Sequence, residues 1–202
     1  MTGNLFIVCA PSGTGKTSII QELLKAEPRI ELSVSYTTRA PRPGEVDDRD
    51  YHFVSERQFA QMTEAGEFLE SALVHGNHYG TSQRWINARL AAGSDIMLEI
   101  DWQGAAQIRK VIPGAIVIFV LPPSFDALLS RLNARAQDAP DVIARRLAAA
   151  REEISHVSES KYVIINDDFD QAVQDLISIV RVQRLRTPVQ LIHHRDKISR
   201  MN

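Results

Sequence analysis

The stretch Ala10–Ser18, APSGTGKTS, follows the apolar run LFIVC and runs into KTSIIQELLKA. No other part of the chain narrows its fold as much. A short unbroken apolar run bounded by glycines reads as a buried strand. Beyond the loop, Ile19, Ile20, Leu23 and Leu24 recur at helical spacing on one face. Three more short apolar runs follow, DIMLEID (Asp95–Asp101), AIVIFVL (Ala115–Leu121) and YVIIN (Tyr162–Asn166), each separated from the next by helix-like sequence. This alternation predicts an α/β fold with a doubly wound parallel sheet and helices on both faces. Ligands of such sheets gather at the carboxyl ends of the strands. The Gly-rich loop, Asp101 and Asn166 all fall there.

The loop itself holds an anion. Against the phosphate-loop pattern G-x-x-x-x-G-K-[ST], Gly15, Lys16 and Thr17 match, Gly13 adds a second glycine, and Ala10 takes the first position. Glycines let successive backbone N–H groups turn inward, and the following helix adds its positive end. Lys16 then reaches the β- and γ-phosphates, and the Thr17 hydroxyl is a Mg²⁺ ligand. Ala10 is compatible with this geometry if its φ is negative. By itself the loop means a nucleoside triphosphate; it does not separate a GTPase, an ATPase motor and a small-molecule kinase.

With 202 residues, the chain can build one core carrying small insertions. A formal net charge of −2 argues against a nucleic-acid surface. Cys9 is the single cysteine, so no intrachain disulfide forms; inside an apolar run it reads as a small buried hydrophobe. No apolar run approaches the roughly 20 residues of a membrane span. The first residues lack the pattern of a secretory leader, so a cytoplasmic protein without a membrane partner is expected.

Two segments depart from the core pattern. Residues 31–82 read as a small mixed sheet, IELSVSYTT, DYHFV and EFLESALV, around the helix ERQFAQMTEA, which Ser55 and Gln58 cap and Gly66 stops. Residues 124–160 read as two helices around the polar tip AQDAPD. That leaves 1–30, 83–123 and 161–202 for the core. The end, RTPVQLIHHRDKISRMN, reads as a fraying polar tail with His193 and His194 solvated.

Within the first excursion, SVSYTTRAPRPGEVDDRDYHFV (Ser33–Val54) places Arg39 and Arg42 on either side of Pro41. Prolines limit chain freedom, and arginine forks pair bidentately with phosphate oxygens. Alone, the stretch reads equally well as a surface turn with solvated arginines. Together with APSGTGKTS, GNHYGTS and LEIDWQG, however, it resembles guanylate kinase, a nucleoside monophosphate kinase family, and the motifs run in order from about Leu5 to Asp168.

The resemblance implies a P-loop NTPase-type core, a GMP-binding insertion and a helical lid. It also implies ATP and GMP as partners and Mg²⁺ as cofactor. ATP would lie on Ala10, Pro11, Ser12, Gly13, Thr14, Gly15, Lys16 and Thr17, with Asn166 and Asp167 at the adenine. Arg39, Arg42, Tyr51 and Tyr79 would hold the GMP phosphate, while Ser35, Glu70, Thr81 and Glu99 would read the base. A carboxylate suits guanine because it accepts from N1–H and N2–H₂, and a hydroxyl can donate to O6. Adenine would leave the carboxylate unpaired, and sites of that kind reject the wrong base by ~10⁴-fold. Some family members have Asp at the position of Glu99 and Ser at that of Thr81; each functional group is kept.

Asp101, at the end of its strand, sits where the Mg²⁺-holding acid opposes the loop, with Thr17 as the other ligand. Ser124 caps FDALLSRLNAR, whose Arg131 and Arg135 share a face. The resemblance makes Arg131, Arg135 and Arg146 lid arginines that close over the nucleotides and, with Lys16 and Arg39, act in catalysis. A large closing movement on binding both nucleotides is expected. Two alternatives remain at this stage: a catalytically silent guanylate-kinase-like module binding a peptide, and a related kinase acting on a sugar phosphate.

Overall fold

The computed structural model describes residues 3–74, 76–134 and 140–201. Its core is a five-stranded sheet in the order β2-β7-β1-β8-β9, built from β1 (Leu5–Cys9), β2 (Ile30–Leu32), β7 (Asp95–Glu99), β8 (Ile116–Leu121) and β9 (Tyr162–Ile165). All four pairings are parallel. Such strands are buried on both faces, which is why they read as continuous apolar runs.

Alternate residues of each strand feed two cores. Phe6, Val8, Met97, Ile118 and Ile164 pack with Ile19, Ile20 and Leu23 of α1 (Lys16–Ala26) and with Leu176 and Val180 of α7 (Phe169–Arg184). Leu5, Ile7, Cys9, Ile96, Leu98 and Phe119 pack on the other face with Ile86 and Leu90 of α3 (Gln83–Ala91) and Ile108 of α4 (Trp102–Val111). The expected doubly wound sheet is therefore present. Burial pushes the Cys9 thiol up to about 12, and it remains an inert core group.

A second sheet, in the order β4-β3-β6-β5, comprises β3 (Tyr36–Thr37), β4 (His52–Phe53), β5 (Phe68–Val74) and β6 (Asn77–Ser82). It is mixed, with β3 parallel to β4 and antiparallel to β6. Its helix α2 (Glu56–Glu64) starts with the expected capping box: Gln58 N–H donates to Ser55 Oγ at 3.3 Å, and Ser55 N–H donates to Gln58 Oε1 at 2.9 Å. Gly66 follows with φ 68°.

Two expectations need correction. Ile30, Glu31 and Leu32 pair with β7 in the core sheet, so the small sheet begins only at β3. A three-residue strand carries too few positions for its pattern to declare its sheet. The C-terminal tail does not run out as a frayed end; it forms α8 (Thr187–His193) and α9 (Arg195–Ser199), with a proline in the first turn of α8. His193 and His194 are exposed there, as expected.

The lid excursion contains α5 (Phe125–Ala134) and α6 (Pro140–Ser155). Ser124 Oγ accepts from Ala127 N–H at 3.1 Å, as a cap should. Arg135 and residues 136–139 of the tip lie outside the described residues. Among the described residues no helix is long and apolar enough to cross a membrane.

A buried ionic knot ties the last core helix to the rest. Arg184 of α7 donates to Glu27 Oε2 and, at 2.6 Å, to Asp95 Oδ2, while Arg181 Nε donates to Glu27 Oε1 at 2.7 Å. Glu27 and Asp95 are 7% and 6% exposed, so each needs its cation. Arg184→Ala removes the only cation of Asp95 among the described residues and leaves Glu27 with the exposed Arg181 alone, and should cost about 3 kcal/mol. Urea denaturation checks this; a loss under about 1 kcal/mol would contradict it.

Candidate active site

The chain leaves β1 at Cys9 and β7 at Glu99, and these strands are adjacent and parallel, with Val8 opposite Glu99. Their ends therefore open onto one rim. There a cleft of about 290 Å³ is lined by the loop Ala10–Ser18, by Glu99, Ile100 and Asp101, and from the small sheet by Ser35, Arg39, Arg42, Tyr51, Glu70 and Tyr79. Arg146 and Glu153 of α6 complete it.

The loop is locally over-determined. Gly13 and Gly15 have φ of 92° and 91°, a region that side chains rarely adopt. A Cβ on Gly13 would lie 2.9 Å from Leu132 Cδ2, and one on Gly15 would lie 2.7 Å from Asn166 Nδ2. Ala10 is absent from the positive-φ residues, so its methyl is accommodated. Thr14 is fully buried and donates from Oγ1 to the Pro11 carbonyl at 2.9 Å. Gly15 is the residue before α1, so the helix's positive end points into the loop.

Asn166 and Arg131 brace the loop from behind. Asn166 Nδ2 donates to the Thr14 carbonyl at 2.6 Å, and Arg131 Nη2 donates to the Asn166 carbonyl at 2.8 Å. Neither residue lines the cleft, and the neighbouring Asp167 is exposed. Lys16 Nζ donates to the Ile100 carbonyl at 3.4 Å, which holds the ammonium at the rim.

On the opposite wall, strand pairing gathers the polar groups. Glu70 stands directly across from Thr81, and Ala72 across from Tyr79. Residues two apart share a face, so all four point the same way. Thr81 Oγ1 donates to Glu70 Oε1 at 2.6 Å. Thr81 is fully buried and lies behind Glu70, not on the cleft surface. Glu70 is 4% exposed. Burial pushes its carboxyl up to about 7; the Thr81 hydroxyl opposes that shift and the charge of Asp101 adds to it.

Arg39 lies between Tyr51, whose ring centroid is 5.3 Å from its Cζ, and Glu45, which accepts from Nη2 at 2.8 and 2.9 Å. Burial resists ionisation of Glu45, but the Arg39 guanidinium and the Arg42 N–H hold its carboxyl below the usual range. Burial, reinforced by the charge of Glu99, pushes Tyr51 up to about 12, so it stays a neutral donor. Arg42 is exposed at the cleft mouth.

Two carboxylates face the loop. Glu99 Oε1 accepts from Thr17 Oγ1 at 2.5 Å, which draws one expected base reader to the side of the loop. Asp101 caps α4, accepting from Gly104 N–H at 2.9 Å with Oδ1 and from Gln103 Nε2 at 3.1 Å with Oδ2. Glu45 and Glu153 were missed by sequence reasoning. Glu45 follows the turn at Gly44, where its acid is one of many charges in the stretch. Glu153 sits in a charged helix whose cleft-facing side the sequence does not mark. Its carboxyl is pushed up to about 7 by burial and by the charges of Asp101 and Glu152, against the pull of Lys16.

Comparison with known proteins decides the family. A guanylate kinase family model matches residues 2–183. The chain belongs to the guanylate kinase family. It is 58% identical over 201 residues to a guanylate kinase of Methylobacillus flagellatus, covering all of both chains. It is 55% identical to one of Chromobacterium violaceum, covering 98% of this chain and 95% of that one. The crystal structure of guanylate kinase from Anaplasma phagocytophilum superposes with a TM-score of 0.78 at 32% identity, covering 92% of this chain and 88% of that one.

Because Thr81 favours the charged form of Glu70, Thr81→Val should raise the Glu70 carboxyl above its value of about 7. Carbon-13 NMR titration of the carboxyl checks this; an unchanged or lower value would contradict it.

Proposed function

We infer that the chain transfers the γ-phosphoryl group of ATP to GMP, giving ADP and GDP. The observation that carries this reading is a phosphate-binding loop and a buried carboxylate, Glu70 backed by the Thr81 hydroxyl, opening onto one cleft. A cleft built only to hydrolyse a triphosphate would have no use for the second wall.

In this reading the donor phosphates lie on the loop N–H groups and Lys16. The acceptor phosphate lies among Arg39, Arg42, Tyr51 and Tyr79. The two guanidiniums would offset its charge, and the hydroxyls of Tyr51 and Tyr79 would add donors, leaving one oxygen to attack. Glu70 accepts from guanine N1–H and N2–H₂, and Ser35 faces the same pocket. Thr81 acts through Glu70 by donating to it. Glu45 keeps the Arg39 fork in place. Arg146 approaches from α6, and Arg135 belongs to the same lid by family resemblance. The bonds of Arg131 and Asn166 support the loop's shape as their contribution to ATP binding. Asp167 takes the adenine side.

Mg²⁺ fits the donors beside the loop. The Thr17 hydroxyl and the carboxylates of Glu99 and Asp101 are hard oxygens, few in number, and Mg²⁺ keeps waters and substrate phosphates as its remaining ligands. Bound there, it would neutralise charge developing on the transferring group. Phosphoryl transfer otherwise needs only positioning and cations. Closure of the two excursions would exclude water as a competing acceptor. A reaction on free nucleotides requires neither nucleic acid nor membrane and fits the cytoplasm.

A coupled assay of ADP release with GMP, AMP, UMP and sugar phosphates tests the reading. Turnover is expected with GMP, and Lys16→Ala should lower kcat by about 10³-fold while the fold persists. No turnover with any acceptor would favour a silent peptide-binding module. Turnover with sugar phosphates alone would favour the other kinase reading.

GMP binding also requires Glu70 to be ionised. Its carboxyl lies at about 7, so below that pH the proton must leave before guanine can bind. KM for GMP should rise by about tenfold per pH unit on that side. Glu70→Gln should lack this slope; equal profiles in both proteins would contradict the assignment.

A further inference from the structure

Helix α4 does more than carry the cap at Asp101. Gly104 and Gln107 lie three residues apart on it and are neighbours on one side of the helix. That face meets β5, the edge strand of the small sheet. Gln107 grips β5 at two points: Ser71 N–H donates to its Oε1 at 3.2 Å, and its Nε2 donates to the Ser71 carbonyl at 2.8 Å. The side-chain amide thus does for one residue what a neighbouring strand would do, and Ser71 directly follows Glu70.

One turn earlier, a Cβ built on Gly104 would lie 2.5 Å from Glu70 Oε2, 3.0 Å from its Cδ and 3.2 Å from Ile100 Cδ1. A side chain there would force the Glu70 carboxylate to move. The backbone does not demand glycine here, since Gly104 is helical and is not among the positive-φ residues. Helix propensity would favour alanine. What the site requires is space, and the Glu70 carboxylate fills it.

We propose that Gly104 and Gln107 are positioning residues for base selection, fastening the Glu70 carboxylate to α4. One helix then sets both the Asp101 carboxylate at the phosphoryl-transfer rim and the acceptor that reads the purine edge. The inference rests on Glu70 as the guanine reader. Inosine monophosphate lacks the 2-amino group, so the advantage of GMP over it measures one contact of that carboxylate.

Steady-state kinetics with both acceptors test this. Gly104→Ala should raise KM for GMP by about tenfold, the size of one lost hydrogen bond to a charged group, with a smaller change for inosine monophosphate. The ratio of their kcat/KM values should contract, and KM for ATP should not move. Gln107→Ala adds no bulk and should contract the ratio in the same direction. Glu70→Asp withdraws the carboxylate and should cost less in the Gly104→Ala background than alone. An unchanged ratio in both single variants, including an equal loss for both acceptors, overturns the inference. If Glu70→Gln contracts the ratio in that case, base reading by Glu70 survives; if it does not, both fail.

Discussion

The site depends on the parallel pairing of β1 with β7. Parallel neighbours end at the same edge of a sheet, so the loop after Cys9 and the acids Glu99 and Asp101 cannot avoid each other. Both strands are fully buried along most of their length, which anchors that edge. Lys16, Thr17, Glu99 and Asp101 reach their places from backbone positions that the core already holds.

Charge is arranged differently on the two walls. The loop side offers backbone N–H groups, a helix end and Lys16. Across from it, Glu70 is buried against a hydroxyl with its carboxyl near neutrality, while Arg39 is held by Glu45. A buried acid without a full counter-ion is costly alone. In the proposed function it becomes useful when the ligand brings N–H donors of its own, because a base with the matching pattern would relieve the cost. Selectivity and the raised carboxyl would then share one cause, the burial of Glu70. The family to which the chain belongs, matched across nearly its whole length, fits that arrangement.

The features legible in the sequence were those that local physics determines. The loop, its flanking strand and helix, the Ser55–Gln58 capping box and the Ser124 cap all follow from short-range spacing, and all are present. Resemblance supplied the second wall, since nothing local says that Glu70 and Thr81 will face each other across a strand pair. Contacts between distant segments were hidden. Asn166 and Arg131 bind the loop's backbone from more than 100 residues away, Glu99 turns to Thr17, and Gly104 makes room for Glu70. Each depends on how the excursions fold back onto the core. The membership of Ile30–Leu32 in the core sheet was hidden for a related reason, because three residues show no period.

The most direct measurement is a crystal structure of the protein with GMP bound. The base should lie with its N1 and N2 edge on the Glu70 carboxylate. Its phosphate should sit between Arg39, Arg42, Tyr51 and Tyr79, turned toward Lys16 across the cleft. GMP seated elsewhere, or with its phosphate directed away from the loop, would contradict a shared cleft for donor and acceptor.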